Sequence, residues 1–114
     1  MVSTLRTQLH CSLHRPLFGH HIVASFMQRV ARHGGSATAD IPADVLRTAD
    51  AAGRVALELP DRHDICPDSA ITLRVFSPDG GLVGLEEVTL DALDRGEPVC
   101  VRIYSGVPRT AQTA

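Results

Sequence analysis

The chain has no tryptophan, no lysine and no asparagine, and its 114 residues include one tyrosine and three phenylalanines. With so few aromatic rings, the core has to be built from Val, Leu, Ile and Ala. Interleaved aromatic platforms for stacking bases are missing too, and with a net charge of −2 this argues against nucleic acid as a partner. Lys and Asn use AT-rich codons, so their absence points to GC-rich bacterial coding and makes the all-arginine basic set a matter of codon usage. No apolar run is long enough for a membrane helix, and no apolar segment follows the start as in a secretory leader. Cys11, Cys66 and Cys100 are an odd set without a disulfide framework. These features predict a cytoplasmic protein with reduced thiols. The glycines cluster at turns. No P-loop, dinucleotide fingerprint or serine nucleophile elbow is present, and Asp61, Asp64 and Asp68 lack the Gly and Glu of a calcium loop. Glu86 and Glu87, adjacent on a predicted strand, point to opposite faces and form no general acid/base pair. No cofactor is implied, and the leading reading is non-enzymatic.

The length fits one domain with a modest core, predicted over residues 1–106, with a disordered tail at 107–114. Residues 3–14 alternate, with Leu5, Thr7, Leu9, Cys11 and Leu13 opposed to Arg6, Gln8, His10, Ser12 and His14, as in a half-buried strand. In the stretch 18–33, Phe18, Ile22, Val23, Phe26, Met27 and Val30 fall at the spacing of one helical face. His21, Ser25, Gln28, Arg29 and Arg32 lie opposite, and Gly34-Gly35 provides a stop. Residues 42–52 read as a short helix closed by Gly53, or as a strand turning through Asp50–Gly53; the alanine content favours the helix. Strands are predicted at 54–59 and 71–76. The Ser77-Pro78-Asp79-Gly80-Gly81 turn should lead into a hairpin partner at 82–85, extending towards Leu90. A helical turn at 91–96 and a last strand at 99–104 complete the order. The expected fold is α+β: a mainly antiparallel sheet of four to six strands with one long amphipathic helix, 18–33, packed on one face.

Charge is unevenly spread. Residues 1–39 hold four Arg, five of the six His and no acid, whereas residues 40–114 hold seven Arg and all thirteen acids. The acid-free third predicts a basic, His-rich surface for an acidic protein partner or an anionic ligand, in a small accessory or binding module or a homo-oligomer. His14, Arg15, Gly19, His20 and His21 gather at the corner where the first strand hands over to the predicted helix. There the unpaired N–H groups of a helix N-terminus would suit an anion. Arg29 and Arg32 extend the surface along the helix, with no acid at helical spacing to pair them.

An alternative uses Cys11-x-x-His14 and His63-x-x-Cys66, two mirror-image pairs that together supply four ligands of the kind tetrahedral zinc prefers. Against it, the strand alternation turns Cys11 inward and His14 outward.

His14-Arg15-Pro16 ahead of an amphipathic helix resembles the His-x-Arg-Pro signature of the histidine-containing phosphocarrier (HPr) family. The run Gly84-Leu85, Leu90, Gly96 and Val99 to Gly106 is similar to that family's second helix and following strand. The resemblance covers about a third of the chain and lacks the residue between His and Arg. It implies a phosphocarrier in which His14 accepts the phosphoryl group and Arg15 supports it.

Overall fold

A computed structural model describes residues 3–11, 17–31 and 38–103. The predicted long helix is absent. His21–Ala31 is strand β2, following β1 (Ser3–Cys11), and the fold is mostly β. The Pro42–Ala52 segment is also not a helix: β3 runs Thr38–Thr48 and ends in a turn through Asp50–Gly53. Pro42 is accommodated because β3 is an edge strand, where a missing N–H breaks no ladder. Then come β4 (Arg54–Leu59), a 3-10 turn at Arg62–Asp64, β5 (Ile71–Phe76), β6 (Leu82–Val88), the single-turn helix α1 (Leu90–Asp94) and β7 (Val99–Ile103).

In place of one helix-covered sheet there are two sheets. Three strands are ordered β4-β1-β7, with β1 antiparallel to β4 and parallel to β7; four antiparallel strands are ordered β3-β2-β5-β6. Each sheet turns one apolar face to the other. Leu5, Leu9, Leu57, Leu59 and Val101 from the first meet Ile22, Ala24, Ile71, Leu73 and Val75 from the second, all at 2% exposure or less. This supplies what the helix was expected to supply, a cover for the apolar side of a sheet. At Gly84 the sheets come close: a Cβ there would lie 3.2 Å from the Arg102 carbonyl oxygen and 3.4 Å from Val101 Cγ1.

The alternation expected of the first strand holds over its described part: Leu5, Thr7, Leu9 and Cys11 are buried, while Arg6 and His10 are exposed. The hairpin expected from 71–76 into a partner at 82–85 is present, its second strand running on to Val88, and so are the helical turn and the last strand. In the hairpin turn the Ser77 hydroxyl donates to the Asp79 carboxylate, and Gly81 N donates to Ser77 Oγ at 3.2 Å and to Asp79 Oδ1 at 3.3 Å. Donation from Ser77, then from Gly81 N–H, holds the Asp79 carboxyl below the usual carboxylate range. A depressed carboxyl supports the turn above its unfolded pKa, and that support disappears as pH falls through the folded value. Following the Asp79 side-chain carbon by NMR against pH should give a midpoint below that of an unstructured Asp. Ser77→Ala should move it back up.

Candidate functional site

His14, Arg15 and Arg32 lie outside the described residues. Gly19 and His20 sit in a turn, Leu17–His20, not at a helix N-terminus. Gly19 adopts φ +86°, His20 N donates to the Leu17 carbonyl at 3.2 Å, and His20 Nδ1 lies 3.1 Å from the same oxygen. Among the described residues of this corner there is a turn and a strand and no helix N-terminus, so the free N–H groups expected to suit an anion there are not supplied. The helix that the phosphocarrier resemblance places after His14-Arg15-Pro16 is a strand.

His21 and Arg29 are at opposite ends of β2. Eight residues of extended chain separate them, about 26 Å. His21 Nδ1 lies 3.1 Å from Thr48 Oγ1. Arg29 Nε bonds Asp40 Oδ1 at 3.2 Å. That hydrogen bond, followed by the attraction between the charges, raises the Arg29 pKa above its usual value. Two rows along, Ser25 Oγ donates to Asp44 Oδ1 at 2.7 Å. The β2 part of the acid-free segment thus pairs along its length with β3, the first acidic stretch of the chain, and Arg29 faces an acid across the ladder.

The zinc alternative fares no better. Cys11 is buried on β1, Cys66 is buried after the 3-10 turn, and His63 is exposed within that turn. Among the described residues no three His, Cys, Asp or Glu side chains gather into a ligand set.

The surface that stands out is the outer face of the four-stranded sheet. Cross-strand partners share a face, so the ladder gives its rows. In the order β3, β2, β5, β6, one row is Thr48, His21, Phe76, Leu82, the next Leu46, Val23, Arg74, Leu85, and the third Asp44, Ser25, Thr72, Glu87. The first two rows are largely apolar yet face outward, with Leu46, Leu82 and Leu85 at 56%, 52% and 58% exposure. Arg74 reaches from the second row towards the third, its Nη2 3.3 Å from Ser25 Oγ. Its alkyl stem therefore fills the gap between Val23 and Leu85, with the charge at the border. Strands about 4.8 Å apart and rows about 6.8 Å apart give this patch an area on the order of a few hundred Å², the scale of the largest apolar patch on an ordinary monomer, which is often functional. His21 belongs to this face; the apolar residues that define it were not singled out from the sequence.

Among the described residues, no helix is long and apolar enough to cross a membrane. No family model matches the chain, and no curated protein matches it. Among solved structures, the chain is similar to an alternative pilotin from the type II secretion system of Vibrio cholerae, at 12% identity and a TM-score of 0.49, over 93% of this chain and 100% of that one.

Proposed function

We propose that this chain is a binding module that holds a short apolar segment of a partner protein against the outer face of its four-stranded sheet. The observation that carries this reading is the outward placement of Leu46, Leu82 and Leu85 around Val23 and Phe76, on a sheet whose other face already fills the core. A standard interface buries about 800 Å² on each partner, more than this patch offers, so a loop or short peptide fits it better than a broad domain surface. One border is charged: the Arg74 guanidinium reaches towards the row that holds Asp44 and Glu87. Charge here sets the register and orientation of the segment, while the leucines and Phe76 supply affinity.

The test is a peptide selection. Sequences selected from a random library on the wild-type protein should be rich in apolar residues. They should bind a Leu82→Glu/Leu85→Glu variant at least tenfold more weakly, with its Tm unchanged because both side chains are already half exposed or more. Selected peptides that bind both proteins equally would remove this face from consideration.

A further inference from the structure

The two apolar rows on the outer face of the four-stranded sheet contain two ionisable side chains, His21 and Arg74. Arg74 keeps its charge at every relevant pH and turns its guanidinium to Ser25, at the border. His21 is half-buried in the first row, between Thr48 on β3 and Phe76 on β5. Leu46 and Leu82 lie on the two edge strands, β3 and β6. A segment that touches both must cross β2 and β5 between them, over the ground that His21, Val23 and Phe76 share. Histidine is the side chain that ordinarily changes charge between pH 5 and 8, so what surrounds this ring matters when it is covered.

On β3, Thr48 and Leu46 are uncharged, and Arg47 belongs to the other face, its Nη1 donating to the Leu46 carbonyl at 2.8 Å. On β5 the neighbours are Phe76 and, on the diagonal, the cation Arg74. On β6, Leu82 and Leu85 are uncharged, and Glu87 stands with Asp44 in the third row, about 14 Å along. In the adjoining turns, the His20 ring faces the Leu17 carbonyl, Asp79 is engaged by Ser77 and Gly81 N–H, and Asp50 accepts from Ala52 N and Arg54 N. Among the described residues, His21 has no carboxylate partner. The Thr48 hydroxyl, 3.1 Å from Nδ1, can donate to a neutral ring or accept from a protonated one, so that contact survives protonation.

We infer that His21 makes binding on this face pH-dependent: the face holds its apolar segment while the ring is neutral and holds it more weakly once the ring takes up a proton. The inference rests on the binding function proposed above. A covering segment strips water from the ring. The neutral form loses little, because one nitrogen keeps Thr48 and the other can meet a backbone group of the segment. The charged form loses its hydration with no anion to replace it and a cation nearby. Binding therefore expels a proton. Affinity is full above the free-state titration of the ring and declines as pH falls through it.

The test uses acetylated, amidated peptides selected on the wild-type protein at pH 7.5 from a library of Leu, Phe, Val, Ser and Gly, so that the peptides themselves do not titrate. Their affinity for the wild type should fall about fivefold or more between pH 7.5 and pH 5.5. In His21→Gln, which keeps an uncharged hydrogen-bonding side chain, it should change less than twofold, whereas His20→Gln should retain the wild-type drop. Calorimetry near pH 6.5 in two buffers of different ionisation enthalpy should show proton release on binding by the wild type and none by His21→Gln. A flat wild-type profile, or a drop that persists in His21→Gln, overturns this inference. It leaves the binding function standing if the Leu82→Glu/Leu85→Glu variant still binds these peptides at least tenfold more weakly. Equal binding by that variant, or a selection that yields no peptide, overturns both.

Discussion

Ala24→Asp should leave the protein unfolded, while Val23→Asp, one residue away, should fold with a stability within about 1 kcal/mol of the wild type. Ala24 is 0% exposed and faces the core between Val45 on β3 and Leu73 on β5. A carboxylate there meets only apolar atoms. An unpaired buried charge costs several kcal/mol or more, comparable with the whole stability of a small domain, about 5–15 kcal/mol. Val23 lies on the opposite face, between Leu46 and Arg74. An aspartate at that position reaches water and has a guanidinium beside it. Far-ultraviolet circular dichroism and thermal melts on the two variants read the result directly. Two folded variants, or two unfolded ones, would mean that β2 does not alternate between core and solvent as described.

Gly53→Ala should lower stability by about 2–4 kcal/mol, the sum of a backbone term and a packing term. Gly53 has φ +81°, where a residue with a Cβ is strained by about 1–3 kcal/mol. It is also hemmed in: a Cβ would lie 2.5 Å from Leu17 Cδ1, 3.0 Å from the Leu9 carbonyl oxygen and 3.2 Å from Leu9 Cβ. The Leu17 methyl can swing aside. The Leu9 backbone cannot, because its N–H is bonded to the Gly53 carbonyl at 2.8 Å, tying the β3–β4 corner to β1. Gly80→Ala provides the control. Gly80 has φ +95° with nothing within 4 Å of the added carbon, so that variant carries the backbone term alone. Denaturant midpoints should rank wild type above Gly80→Ala and Gly80→Ala above Gly53→Ala. Equal losses in the two variants would show that the corner has room after all.

The parts of the fold that could be read from the chain are those where one periodicity was available. Leu5, Thr7, Leu9 and Cys11 can only be a strand face, and Ser77–Gly81 can only be a turn between the strands that flank it. The 18–33 stretch failed for a specific reason. Ile22, Phe26 and Val30 are four residues apart, as are Val23 and Met27. A spacing of four is shared by a helical face and by one side of a strand, so two apolar stripes on opposite sides of β2 passed for one broad helical face. The site was hidden by a related effect. Leu82 and Leu85 are three residues apart, which strict alternation puts on opposite faces; the register shift between Val75 and Phe76 brings both to the outside. Nor could the basic opening third be judged alone, since Asp40 and Asp44, its partners, begin the acidic remainder.

The parallel pairing of β1 with β7 bears on how the molecule is made. Thr7 is in register with Val99, so the first and last strands of the fold are neighbours although about ninety residues of chain separate them. β1 is the central strand of its sheet and stays half-bonded until β7 has left the ribosome. Assembly of this sheet must therefore wait until β7 has emerged, and for that interval one hydrogen-bonding edge of β1 is open to strands of other nascent chains.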